Sequence, residues 1–413
     1  MQDRINKVHE SILSLVLKLD PNRMTDAGLL TGKLGIIMYL VSLSKTSAKE
    51  IYNYKIEELF NNVLEEINVE GTSLQKSIGL IDGLSGFAYI VQYLKNEELL
   101  DDYLDSQMQI INEIVFDKAK QMIDDNFFDF FYGPIGVLHY LDYIGAEKYC
   151  EELVDKLYDY GVRNDFIYYN ITGDSYTEGL NFGYAHGSSA IVTVMLNLYK
   201  SGCRHDKCEI IANRLLGNML KFRRGNLNFE KIVLIDTLET SYRTEFPYNV
   251  VEDEYKIDLT NCSEEQKNKF HYSGRLGWCN SDLNILFLLY RAGTLFDKQE
   301  YIELAKEIED GIIARVNVTE TKVKDSFMCH GSSGIAMIYR TLSQATNNMK
   351  FNRAHELWLF KTIDFLEKEI TVYKEVPEIL QLLTGWLMPS LELVSHKNSY
   401  THNAVDRLFL CSI

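Results

Sequence analysis

Three short stretches hold the residues of this 413-residue chain that are able to do chemistry. Gly277-Trp278-Cys279-Asn280 supplies one thiol, and Met328-Cys329-His330-Gly331 supplies a thiol and an imidazole. Tyr184-Ala185-His186-Gly187 adds a second imidazole. Two cysteines and one histidine make a three-ligand set for zinc, which leaves the fourth tetrahedral position open. An open position marks a catalytic rather than a structural zinc site. A substrate thiol entering that position would lose its proton and stay nucleophilic, so thiol activation is the natural use of the set. Activation of water is the alternative. Zinc deaminases, however, add His-x-Glu and Cys-x-x-Cys spacings that this chain lacks.

Three residues outside the zinc set, His186 and two others, stand in these stretches or close to an equivalent turn. His186 is placed as a general acid or base if the metal keeps an exchangeable position. Arg275, four residues before Cys279, is placed to stabilise negative charge; its plainer role is a surface ion pair. Asp129, four residues before Gly133, is placed to orient a histidine or hold a substrate donor; its plainer role is a helix N-terminal carboxylate. Cys203-Arg204-His205-Asp206-Lys207-Cys208 resembles a ligand cluster, but its spacing is loose for zinc, and the stretch reads as a loop opening a helix.

A repeat positions these residues. A small-residue turn followed by an apolar helix starts at Gly32, Gly83, Gly133, Gly187, Ser281, Gly331 and Gly385, with gaps of 51, 50, 54, 94, 50 and 54 residues. Amphipathic, charged segments lie between them at 47–67, 102–119, 146–162, 207–224, 298–316 and 351–371. In 298–316, Leu304, Ile308, Ile312 and Val316 form one stripe. Helices that are apolar all round must be buried, while one-sided helices can face water. The pattern therefore predicts an all-α fold: an α/α toroid of seven Gly-led helical hairpins, apolar helices inside. An open superhelix is the alternative. The long gap predicts an irregular insertion at about 225–272, with a β-like run at 231–235, in a single domain spanning 1–413. Cys279 and Cys329 stand two residues before their turns, and His186 and His330 one before. Inner helices that start at one end bring all of these, with Asp129, to a central cup.

Composition narrows the function classes. The chain is 46% hydrophobic and 24% charged, an ordinary globular balance. A net charge of −17 argues against a nucleic-acid partner. Met1-Gln2-Asp3-Arg4 has no apolar signal segment, and no run approaches the roughly 20 residues of a membrane span, so a cytoplasmic location is expected. Seven cysteines, an odd number, argue against a disulfide framework.

The seven Gly-led repeats, with His-Gly, Trp-Cys and Cys-His-Gly in that order, resemble the LanC family of lanthionine synthetases, the lanthipeptide cyclases. The resemblance covers nearly the whole chain. It implies an α/α toroid with one zinc per chain held by Cys279, Cys329 and His330. The implied reaction adds a peptide cysteine thiol to dehydroalanine or dehydrobutyrine, closing a thioether ring. By position, His186 matches the acid/base, Arg275 in Arg-x-x-x-Cys matches the arginine near the developing enolate, and Asp129 in Asp-x-x-x-Gly matches the supporting acid. The implied partner is a dehydrated precursor peptide, prepared by a separate dehydratase. The family usually has Tyr-Gly after Trp-Cys; here Asn280 and Ser281 stand there, and Asn284 replaces a small residue. Two alternatives share the zinc site: addition of another thiol such as glutathione, and a zinc-holding scaffold without cyclase activity. A carboxylate glycosidase on a toroid, using Asp125 or Asp129, leaves the Cys and His placement unexplained.

Overall fold

The computed structural model describes residues 1–44, 49–69, 71–170, 179–223, 249–250, 275–373, 377–398 and 403–412. The helices of the first half are α1 (Gln2–Lys18), α2 (Lys33–Ser44), α3 (Lys49–Ile67), α4 (Ser73–Lys76), α5 (Leu84–Asn96), α6 (Asp105–Asp124), α7 (Pro134–Tyr143) and α8 (Glu147–Arg163). Then follow α9 (Ser188–Ser201), α10 (His205–Lys221), α11 (Asp282–Leu295), α12 (Gln299–Ile313), α13 (Val318–Thr321), α14 (Ser332–Thr346), α15 (Met349–Val372), α16 (Leu387–Asn398) and α17 (Asn403–Leu408). The regular strands among the described residues are β1 (Leu180–Asn181) and β2 (Asn249–Val250), paired antiparallel. The expected insertion at 225–272 otherwise lies outside the described residues.

The fold is an α/α toroid. Helices α2, α5, α7, α9, α11, α14 and α16 each touch the next, and α16 touches α2, so the inner ring closes. Closure removes the open superhelix. These helices are buried on nearly every side: from Leu34 to Leu43 no residue of α2 reaches the surface. Outer helices α3, α6, α8, α10, α12 and α15 each pack on an inner helix of their own unit. The seventh outer helix is α1, from the start of the chain. It packs Ile5, Val8, Ile12 and Val16 inward and contacts α15 and α16. The periodicity of these four residues is the signal that α1 is a surface helix; the repeat alone does not reveal it.

The turns that open the inner helices are joined by their backbones. Leu30 N–H bonds Ile81 O at 3.0 Å, Ile81 N–H bonds Phe131 O at 3.3 Å, and Ala185 N–H bonds Cys279 O at 3.4 Å. Cys279 then bonds Cys329, Cys329 bonds Leu383 and Leu383 bonds Leu30, each at 3.0 Å. Every residue named is two before the first residue of its unit. The inner helices are therefore parallel, with their N-termini at one end. Glycine is needed at these turns for close approach. A Cβ on Gly32, Gly83, Gly187 or Gly385 would overlap the carbonyl oxygen six residues earlier. One on Gly35, Gly86, Gly136 or Gly334 would overlap the carbonyl three residues before its turn. The cap glycines Gly83, Gly133, Gly187 and Gly331 have φ between −100° and −151°, so left-handed freedom is not the reason.

The end of the chain returns to the centre of the ring. Leu408, Phe409, Leu410 and Cys411 are buried, and Trp278 Nε1–H donates to Phe409 O at 2.6 Å. Buried Arg340 of α14 binds Glu392 of α16 and Asp406 of α17, at 3.0 and 2.8 Å. No helix among the described residues is long and apolar enough to cross a membrane.

Candidate metal centre and its surroundings

Cys279 and Cys329 are adjacent members of the backbone ring, which sets their spacing before any side chain is considered. The ligand atoms of Cys279, Cys329 and His330 all lie within 4.8 Å of one another. His330 Nε2 is 3.6 Å from Cys329 Sγ. Two thiolates on a tetrahedral zinc at about 2.3 Å stand about 3.7 Å apart, so the donors fit without moving a helix. Both cysteines are buried and His330 is half-buried. The donor set is two soft sulfurs and one imidazole, which suits zinc.

The electrostatics of the cup favour negative charge. Each cysteine lies just before an inner-helix N-terminus, where the helix dipole stabilises a thiolate. The hydrogen bond from Cys329 holds the Cys279 thiol well below its ordinary range, reinforced by His330 and His186. The same bond, with burial, pushes Cys329 well up. Arg275, half-buried, opposes that rise and also acts on Asp325. A cavity of about 540 Å³ opens beside His330, lined by Arg275, Lys322, Lys324 and Asp325 among others.

His186 stands in the fourth turn and is fixed from two sides. Its Nδ1 is 2.7 Å from Asp129 Oδ2. Its ring stacks on Tyr132, centroids 6.1 Å apart, and meets the edge-on ring of Phe131 at 5.4 Å. Asp129 is fully buried, and its other oxygen accepts Tyr132 N–H at 2.8 Å. It stands behind His186, on the Nδ1 side of the ring. The carboxylate fixes the imidazole with Nδ1–H toward it.

Several supporting residues escape the sequence. Asn170 accepts Phe128 N–H at 2.6 Å and donates to His186 O at 3.3 Å, tying the third and fourth units together. Glu369 of α15 accepts Ser326 N–H at 2.8 Å, Ser326 O–H at 2.6 Å and Trp386 Nε1–H at 2.9 Å, anchoring the turn that carries His330. Asn170 has no motif around it, and Glu369 is one acid of the run Glu367-Lys368-Glu369, which reads as a solvated face. Four turns share a further device. Asp26, Ser77, Asn181 and Asp325 each accept the backbone N–H two residues on, at 2.7 to 3.0 Å.

The departures around Cys279 are built in. Ser281 N–H donates to Asn284 Oδ1 at 2.6 Å, completing a capping box, and Asn284 Nδ2 donates to Trp278 O at 2.8 Å. Asn280 is buried and donates to Asn181 at 3.2 Å. Gly183 has no side chain to obstruct the Cys279 carbonyl, which accepts Tyr184 N–H at 2.8 Å. Cys203–Cys208 forms the opening of α10, with Cys208 S–H on Cys203 O at 3.3 Å, and joins no metal-ligand group among the described residues.

The geometry and the chain order agree with a family model described as "Lanthionine synthetase C-like protein", which matches residues 23–410. The chain belongs to the lanthionine synthetase C-like family. Among relatives of this family, "Nisin biosynthesis protein NisC" of Lactococcus lactis subsp. lactis is 21% identical over 357 residues, covering 82% of this chain and 79% of its own. A solved structure titled "Nisin cyclase" matches with a TM-score of 0.73 at 18% identity, covering 99% of this chain and 97% of that one. At that identity the likeness establishes the lanthionine synthetase C-like toroid, and the site stands on its own residues.

Proposed function

We propose that this chain is a zinc-dependent lanthipeptide cyclase that adds peptide cysteine thiols to dehydroalanine or dehydrobutyrine. The observation that carries this reading is the meeting of three zinc donors and an Asp-oriented histidine in one cup. Cys279, Cys329 and His330 would hold the ion. Zinc, when bound, lowers the pKa of a thiol at its open position. His186 Nε2 takes the thiol proton, and Asp129 stabilises the resulting imidazolium. The S–C bond forms at the β-carbon as the C=C electrons move to the amide oxygen, where Arg275 offers positive charge. His186 returns its proton to the α-carbon, which completes the balance. The substrate is a dehydrated precursor peptide, so the preceding reaction is a dehydration of Ser or Thr, carried out by a separate dehydratase.

The test is a zinc assay beside a thiol assay on a dehydrated, Cys-containing peptide. The wild type is expected to hold one zinc per chain and consume thiols, while Cys279→Ala and Cys329→Ala lose both. Thiols that persist at the uncatalysed rate with zinc-loaded wild type would leave the scaffold reading. The basic cavity beside His330 favours a second substrate class, a small carboxylate-bearing thiol such as glutathione, which the same assay distinguishes when glutathione replaces the peptide's cysteine.

A further inference from the structure

A second cavity, of about 870 Å³, opens at the other end of the inner helices. Asn96, Asp142, Asn197 and Arg291 on its wall lie near the C-terminal ends of α5, α7, α9 and α11, far from the metal centre. At about 1.5 Å per residue, helices of this length separate the two sites by roughly 15–20 Å. Arg407 of α17 completes the lining on the side of the returning tail.

Arg291 Nη2–H donates to Asn197 Oδ1 at 2.9 Å. With its oxygen engaged, Asn197 turns its amide nitrogen elsewhere. Arg291 Nη1 and Asn197 Nδ2 are both buried without a hydrogen-bond partner among the described residues, and so is Arg407 Nε. Buried donors without acceptors cost free energy, and a buried cation without a counter-ion costs more. The carboxylates nearby are committed elsewhere. Asp142 takes Arg407 Nη2 at 2.6 Å and Asp406 takes Arg340 at 2.8 Å. Glu97 also lines the wall. Burial draws Arg291 below the ordinary guanidinium range, opposed by Tyr184 and Cys411 rather than by any acid.

We propose that this cavity binds a small oxyanion, a carboxylate- or phosphate-bearing ligand, on the paired donors Arg291 Nη1 and Asn197 Nδ2. One ligand oxygen accepts from each, in the two-point manner in which guanidinium recognises planar anions. The inference does not depend on the cyclase reading, since it shares no residue with the metal centre.

The experiment follows thermal unfolding and calorimetric binding with inorganic phosphate and with succinate, against sodium chloride at equal ionic strength. A ligand that binds only the folded state raises Tm in a saturable way. Wild type is expected to show saturable stabilisation by phosphate, by succinate or by both; which one it is identifies the ligand class. Arg291→Met and, separately, Asn197→Leu are expected to weaken that binding about tenfold or more, with zinc content unchanged. Stabilisation equal to that of chloride, or undiminished in both variants, overturns the proposal.

Discussion

At the residue scale three candidate metal donors stand apart from a hydrogen-bonded His186–Asp129 pair. Asp129 is bonded to His186 Nδ1 and to Tyr132 N–H, and in the proposed reaction it acts through His186. Replacing Asp129 by Asn keeps the shape but removes the charge that favours the imidazolium. Its expected effect is a fall in kcat of about tenfold to a hundredfold, with zinc retained. His186→Ala should reach or exceed that loss, again with zinc retained; loss of zinc in either variant would move His186 into the ligand set. The three donors were legible in the sequence because Cys and His are rare and stand at equivalent places in their repeats. Asn170 and Glu369 were not, because a polar residue announces its partner only through the fold. Asn280 and Ser281, departures from the usual family residues, are both hydrogen-bonded: Ser281 caps α11 through Asn284, and Asn280 donates to Asn181.

At the element scale the turns matter more than the helices. The Gly-x-x-Gly spacing exists because atoms of the preceding residues press where a Cβ would stand: at the second glycine the carbonyl three residues before the turn, and at the first the carbonyl six before it (Gly32, Gly83) or the Phe127 and Asp325 side chains (Gly133, Gly331). Gly334→Ala would drive a methyl into Met328 O and the Trp278 side chain. It should cost about 1–3 kcal/mol and displace the Cys329 turn, read as a lower Tm together with weaker zinc retention on chelator challenge. Gly217, with open space around it, is the control position and tolerates Ala. Inside α7 sits His139, fully buried, with neither ring nitrogen hydrogen-bonded among the described residues. Burial, helped by Arg407, lowers its pKa from 6.5 to about 3. The unfolded chain therefore binds a proton at His139 that the folded chain refuses between these values. That contribution is intact above pH 6.5 and is lost as pH falls toward 3, with a slope approaching 1.4 kcal/mol per pH unit. His139→Phe should flatten the acid limb of a Tm-against-pH curve; an unchanged limb would assign the acid sensitivity to other groups. The helices were legible from period and burial. The reason for their glycines was only half legible, since the sequence allowed either φ > 0 or close approach and the backbone chose the second.

At the scale of the whole molecule the toroid is closed at both ends of the chain. Helix α1 completes the outer layer, and the segment from α17 onward packs against Trp278, the residue next to the candidate ligand Cys279. Deleting residues 403–413 removes the Phe409 acceptor of Trp278 and one carboxylate of buried Arg340. The expected outcome is a lower Tm and a reduced zinc stoichiometry in the same preparation; full zinc with unaltered Tm would make the tail dispensable. The seven-unit period carried the ring in the sequence, whereas neither terminal role was visible, because both are contacts across nearly the full length of the chain. The bond from Leu383 N–H to Leu30 O, which joins the last unit to the first, bears on timing. Its partners are among the most distant in sequence that the chain contains, and Cys329 hangs on Leu383 in the same ring. Contacts of such separation form late, after the loop entropy of everything between has been met. During synthesis the last inner helix leaves the ribosome only after both cysteines have done so, and until then their turns lack the frame that spaces them. The spacing of the two cysteines is thus fixed only once the last inner helix has joined the first.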